Sequence, residues 1–135
     1  MNNFTTKEQS LNLVKLGLNR DTADMCYYYN FVTETNSEIP AVVVGTLHDT
    51  TSNNIPCWSV GALLELMPDI IDNRLVGYRL TIDREGKTFN VSYDSIMTKE
   101  PVILYAESNF LDAVYQMMCY LLENNLLQNN YIKIE

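Results

Sequence analysis

The fold of this 135-residue chain is decided by residues 78–93, which read YRLTIDREGKTFNVSY. Apolar residues alternate with polar ones on both sides of a turn: Tyr78, Leu80 and Ile82, then Phe89, Val91 and Tyr93. Alternation with a period of two is typical of strands that bury one face. The turn contains Gly86, which suits the positive φ that tight hairpins require. The stretch therefore predicts a β-hairpin with one apolar and one polar face.

Downstream of the hairpin, the sequence predicts one further strand and a long helix. Val102–Tyr105 has the composition of a third strand, and residues 109–123 have an amphipathic helical pattern with Ser108 as the predicted N-cap. Residues 131–134 could add a final edge strand. An amphipathic helix of this length needs a sheet to cover, and the hairpin provides one.

Upstream, a first helix is predicted from about Thr6 to Leu16. Thr5 and Glu8 have capping-box spacing, and Gly17 is placed to end the helix in a left-handed C-cap. The apolar face of this helix is assigned to Leu11, Val14 and Leu18, which follow helical spacing.

The middle of the chain is predicted as short elements. Asp21 is the predicted N-cap of a short helix that runs to Cys26. Residues 34–40 are predicted to form a loop, and residues 41–47 are predicted to form a strand. Residues 48–54 are polar and predict a surface loop. Ser59 is the predicted N-cap of an apolar helix that Pro68 stops.

Together these elements predict an α+β fold in a single domain spanning 1–135. Its sheet is small and antiparallel, with hairpin 78–93 plus one or two further strands. The sheet packs against the long C-terminal helix and the N-terminal helices. Hydrophobic residues make up 47% of the chain and charged residues 19%, which is typical of a globular domain with its own core.

Composition also indicates a cytoplasmic setting. No stretch approaches the roughly 18 apolar residues of a membrane span, and the N-terminus lacks the pattern of a secretory signal. Cys26, Cys57 and Cys119 are an odd number at wide spacing, which fits reduced thiols better than disulfides or a zinc knuckle. We therefore expect no membrane association and no cofactor.

The charge of the chain is unevenly distributed. The net charge is −8, and no Lys or Arg occurs between Arg20 and Arg74. That interval contains eight acidic residues: Asp21, Asp24, Glu34, Glu38, Asp49, Glu65, Asp69 and Asp72. Because affinity for nucleic acids depends on Lys and Arg contacts to phosphate, direct DNA or RNA binding through this half is disfavoured. Acidity that merely keeps the protein soluble is the simpler explanation.

Few residues offer chemistry. His48 is the single histidine and is followed by Asp49, a pair that could orient a general base, but no nucleophile sits in a recognisable motif. Asp21 and Asp24 would share a face of the predicted helix and could contact a hard cation, although two carboxylates are too few for a site. No catalytic residue and no metal ligand is therefore predicted.

The run Tyr27-Tyr28-Tyr29 is the strongest candidate for a binding surface. Three consecutive aromatic residues cannot all face one core, and aromatic side chains anchor protein interfaces. The run lies inside the interval without basic residues, so base stacking in a basic groove is not expected.

Several stretches resemble a group of small proteins from phage-like and integrated mobile elements of gut anaerobes. They are residues 7–10 (KEQS), 16–18 (LGL), 21–25 (DTADM) with the tyrosines 27–29, 55–68 (IPCWSVGALLELMP), and Ala113 with residues 121–124 (LLEN) of the final helix. The resemblance implies a cytosolic, mobile-element setting. It implies no activity, substrate or catalytic residue.

These observations lead to three hypotheses. The first is a non-enzymatic, acidic protein–protein interaction module whose interface candidates are Asp21, Asp24, Tyr27, Tyr28, Tyr29, Glu34 and Glu38. The second is a small metal-assisted enzyme that uses Asp21, Asp24, His48 or Asp49. The third is a structural or virion-associated subunit, which would self-associate through an exposed apolar patch.

Overall fold

The structure is a computed structural model that describes residues 3–43, 53–73 and 76–133. Within these ranges three α-helices form, α1 (Lys7–Lys15), α2 (Val60–Leu66) and α3 (Phe110–Glu123), together with 3-10 helices at Arg20–Thr22 and Asn129–Tyr131. The strands of the same ranges are β1 (Met25–Tyr27), β2 (Tyr29–Asn30), β3 (Thr35–Asn36), β4 (Ala41–Val42), β5 (Ile55–Cys57), β6 (Ile70–Asn73), β7 (Val76–Glu85), β8 (Thr88–Ser95) and β9 (Pro101–Glu107). The α+β fold with a C-terminal helix is confirmed.

The largest sheet is an antiparallel meander in the order β6-β7-β8-β9. Its centre is the predicted hairpin, in which Leu80 pairs with Tyr93 and Tyr93 with Ile103 of β9. Gly86 adopts a φ of 60°, the conformation for which glycine was expected at this turn. The hairpin and the third strand are therefore confirmed, and β6 is an additional strand that the sequence analysis missed.

The predicted final strand at residues 131–134 is wrong in the described part, which ends at Lys133. Asn129–Tyr131 form a 3-10 helix, and Ile132 makes only an isolated bridge to Leu18. Two backbone bonds hold this segment against the end of α1, from Asn19 N to the Tyr131 carbonyl (2.8 Å) and from Lys133 N to the Gly17 carbonyl (2.8 Å). These bonds tie the segment to α1 and not to the edge of the sheet.

Helix α3 covers one face of the sheet with a broad apolar surface. Its buried residues are Leu111, Ala113, Val114, Met117, Met118, Leu121 and Leu122. The N-cap is Asn109, whose Oδ1 accepts a hydrogen bond from Leu111 N (2.9 Å), so the predicted cap at Ser108 is wrong by one residue. Asparagine competes equally well with serine at this position.

Helix α1 begins one residue later than predicted. Its capping box joins Thr6 and Gln9, because the Thr5 hydroxyl is engaged elsewhere. The helix buries Ser10 and Leu13, whereas Leu11 is 53% exposed, so the apolar stripe that included Leu11 is a wrong assignment. Gly17 follows the helix with a φ of 105°, which confirms its left-handed C-cap.

Asp21 does not begin a helix through Cys26. Asn19 is the N-cap of the 3-10 helix, and the chain is extended from Met25 because β1 pairs with both β4 and β5. The predicted 34–40 loop contains β3. Within residues 41–43, the described part of the predicted 41–47 strand, Ala41–Val42 form β4. Residues 44–52, including most of the predicted 48–54 loop, lie outside the described residues.

The buried residue Thr5 joins three elements. Its hydroxyl lies 2.7 Å from Ser10 Oγ in α1 and accepts a bond from Trp58 N (3.1 Å), just after β5. Its carbonyl accepts a bond from the Tyr27 hydroxyl (2.8 Å) in β1. Buried polar groups are stable only when they are hydrogen-bonded, so this network fixes how the N-terminal segment enters the fold.

We expect Thr5→Val to lower the free energy of unfolding by about 1–3 kcal/mol. Valine has nearly the same shape but leaves Trp58 N and Ser10 Oγ without this partner. Urea denaturation measures the change. Thr81→Val is the matched control, because Thr81 lies half-buried in β7 and its hydroxyl makes only a 3.5 Å bond. Equal stability of wild type and Thr5→Val would contradict the role of this network.

A candidate protein-interaction surface

The hairpin formed by β2 and β3 projects apolar side chains from its tip. Tyr29 pairs with Asn36, and Asn30 with Thr35, so residues 31–34 form the turn. Phe31 is 80% exposed and Val32 is 93% exposed. Large apolar side chains this exposed, side by side, are typical of interaction sites.

Local hydrogen bonds fix the shape of the tip. Asn30 Oδ1 accepts bonds from Val32 N (2.9 Å) and Thr33 N (3.4 Å). The hydroxyls of Thr33 and Thr35 lie 2.8 Å apart. Glu34 completes the turn with a φ of 57°, in the left-handed region. The exposed side chains therefore project from a defined turn and not from an irregular segment.

The base of the hairpin is attached to the body of the fold. Asn36 Nδ2 donates to the carbonyls of Tyr27 (3.1 Å) and Asn53 (2.8 Å), and Tyr29 N donates to Asn54 Oδ1 (2.8 Å). The Tyr29 ring meets the Phe31 ring edge-on, with centroids 5.0 Å apart. This contact supports Phe31 from one side and leaves its other side open.

The residues that follow the hairpin in sequence are also exposed. Ile39 is 77% exposed, and the carboxylate of Glu38 is exposed beside it in sequence. We use the term hairpin surface for Phe31, Val32, Glu34, Glu38 and Ile39. It combines three apolar side chains with two carboxylates.

Lys7 of α1 is the cation that meets this segment. Its Nζ lies 3.5 Å from Glu38 Oε1, donates to the Asn36 carbonyl (3.4 Å) and lies 5.6 Å from the centre of the Tyr27 ring. These contacts border a cleft of about 480 Å³ lined by Phe4, Thr6, Lys7, Glu8, Tyr27 and Glu38. The cleft lies at the foot of the hairpin surface, where Glu38 belongs to both.

The three tyrosines differ in their surroundings. Tyr27 is 3% exposed, and burial together with the nearby Cys57 raises the pKa of its hydroxyl well above the ordinary value. Tyr28 is half-buried and its hydroxyl donates to the Val42 carbonyl (3.3 Å), while Tyr29 supports Phe31. Tyr27 is therefore part of the core, and Tyr28 and Tyr29 present only part of their surface.

The two aspartates of the predicted helix are separated by the observed backbone. Asp21 is exposed in the 3-10 helix Arg20–Thr22, whereas Asp24 follows that helix directly before β1. Asp24 accepts bonds from Ser59 N (2.9 Å) and Ser59 Oγ (2.5 Å) at the start of α2. Its carboxylate thus connects β1 to the N-cap of α2.

Two residues of the enzyme hypothesis have no described position. His48 and Asp49 lie outside the described residues. In the described ranges, no group of three or more His, Cys, Asp and Glu side chains could hold a metal ion. The same part of the chain contains no helix whose length and hydrophobicity would let it cross a membrane.

Phe31, Val32 and Ile39 were missed by the sequence analysis. The only local signal was the continued alternation of aromatic residues from Tyr29 to Phe31, which is typical of a strand and does not reveal which side is open. Exposure depends on which element covers a side chain, and no local pattern reports that.

We expect Asp24→Ala to lower the free energy of unfolding by about 1 kcal/mol, because it removes the carboxylate bonds at the start of α2. Thermal and urea unfolding measure the loss. The control is Glu65→Ala, which removes an exposed carboxylate from α2 and should leave the free energy of unfolding nearly unchanged. A loss of the same size in Glu65→Ala would show that Asp24 has no special structural role.

No family model matches this chain, and no curated protein sequence or solved structure is significantly similar to it.

Proposed function

We propose that this protein is a non-enzymatic interaction module that binds another protein through the hairpin surface. The observation that carries the proposal is the pair Phe31 and Val32, which a hydrogen-bonded turn holds almost fully exposed. Burying an exposed aromatic and a β-branched side chain in a partner's pocket would release water from both surfaces.

The organisation of the turn supports this function. A turn whose backbone is already ordered loses less conformational entropy on binding than an irregular loop. The bonds from Asn30 to the tip and from Asn36 to the body supply that order before a partner arrives. A few exposed residues can then contribute most of the binding energy.

The charge of the surrounding sequence defines the partner. Glu34 and Glu38 belong to the interval that lacks Lys and Arg, and Lys7 is the cation in contact with the segment. A complementary partner carries an apolar pocket bordered by Lys and Arg. Nucleic-acid-binding proteins present such borders, so the specific form of the proposal is inhibition of one of them by mimicry of phosphate charge.

The proposal places the protein in the cytoplasm of a bacterial host, as a product of a phage or mobile element. The resemblance of its sequence segments and its pattern of cysteines support this setting. Direct binding to nucleic acid is not part of the proposal, because phosphate would be repelled by the acidic segment.

We expect affinity capture from host lysate to retain one protein that is lost on raising the salt concentration. The double variants Phe31→Ser with Val32→Ser and Glu34→Lys with Glu38→Lys should each weaken its capture by about tenfold or more. Mass spectrometry identifies the retained protein, and titration with the purified protein measures the affinity.

Two matched controls come from the β7–β8 hairpin. Ile82→Ser removes an apolar residue that is 46% exposed, and Glu85→Lys reverses an exposed acidic residue. Both should retain the partner. Retention by the two hairpin-surface variants as well would refute the proposed surface. If the protein mimics phosphate charge, duplex DNA should compete with it for binding to the captured partner. Absence of competition would contradict inhibition by mimicry.

A further inference from the structure

The outer edge of strand β9 is open. In the order β6-β7-β8-β9, β9 pairs with β8 on one side, and within the described residues no strand pairs with its other side. The backbone N–H and C=O groups along that side have no ladder partner. Such an edge is a template for another extended strand.

From Ile103 to Ala106 the edge lacks the features that usually block strand addition. From Val102 to Ala106 it contains no charged residue, and proline occurs only at the first position, Pro101. Val102 is 56% exposed and Leu104 is 50% exposed. Charged side chains or a central proline normally protect edge strands from pairing.

The charge balance selects a second copy of this chain as the occupant. Residues 76–107 contain four basic and five acidic residues, whereas residues 21–73 contain eight acidic and no basic residues. Two copies would therefore repel each other strongly through the acidic half and only weakly through strands β7, β8 and β9. The near-neutral edge is the place where the chain can meet itself.

The strand is also complementary to itself in an antiparallel arrangement. A two-fold axis through the middle of β9 would set the apolar stretch of one chain against that of the other. It would also place Glu107 of each chain near Lys99, which precedes β9, of the other chain. The regular part of the strand begins at Ile103, since the register with β8 shifts beside Tyr93 and Asp94.

We propose that the protein forms a two-fold symmetric dimer by antiparallel pairing of β9 with β9 of a second copy, which joins two four-stranded sheets into one. The dimer uses a different surface from the hairpin surface. We expect the double substitution of Phe31 and Val32 to leave the dimer intact. Failure of the dimer proposal can therefore be distinguished from failure of the proposed partner binding.

Sedimentation velocity of the full chain over a broad range of concentration tests the dimer. We expect wild type to shift from one to two chains as the concentration rises. Leu104→Lys should raise the dimer dissociation constant by at least about tenfold, because it places a charge in the apolar contact. Ile82→Lys adds the same charge to the interior strand β7 at a similarly exposed position and should dimerise as wild type.

A charge exchange tests the contact by rescue, with urea unfolding of each variant as a check, because Glu107 Oε1 also accepts a bond from Gln116 Nε2 (2.6 Å) within its own chain. Lys99→Glu should weaken the dimer, and Lys99→Glu combined with Glu107→Lys should restore it. Wild type that stays monomeric at every concentration would overturn the proposal, as would a dimer that Leu104→Lys leaves intact. If Ile82→Lys and Leu104→Lys both abolish the dimer, the charge-exchange variants decide whether β9 forms the contact. Failure of the double variant to restore the dimer that Lys99→Glu weakens would then overturn the proposal.

Discussion

The fold depends on the need to cover helix α3 on more than one side. Seven of its side chains are buried, among them Met117 and Leu121, and they are distributed around more than one face of the helix. A helix with so broad an apolar surface is stable in water only inside a core. Strands β8 and β9 cover one side and α2 contacts another. The placement of β8, β9 and α2 follows from this requirement.

Polar contacts then determine how the N-terminal half joins this core. The buried Thr5 connects α1, β1 and the end of β5, and the exposed Asp24 connects β1 to the start of α2. The bonds of Thr5 contribute modest net stability but penalise alternative arrangements, since each would leave a buried group unpaired. The β2–β3 hairpin contributes little to this core, and its Phe31 and Val32 side chains remain exposed.

The hairpin 78–93 and helix α3 could be predicted because their signals are local and periodic. Predicted helix starts were wrong by one residue where two neighbouring residues are equally good caps, as at Thr5 and Thr6 and at Ser108 and Asn109. At the first pair, the bond from Trp58 N to the Thr5 hydroxyl leaves Thr6 as the cap. The helix expected at Asp21 failed because β1 gains two strand partners. For the candidate site, the sequence located the acidic, aromatic region but not the residues that project from it. Tyr27 is buried and Phe31 is exposed, although both are aromatic residues in the same short segment.

The two kinds of residue in the hairpin surface contribute to different steps of the proposed binding. Long-range attraction from the acidic half accelerates encounter with a basic partner and is weakened by salt, because it acts across water. The contact of Phe31 and Val32 forms only after docking, and it controls how slowly the complex separates. Acidity alone would give a fast, weak and unselective association. Two exposed apolar side chains on a rigid turn add the short-range fit that restricts binding to a partner with a matching pocket.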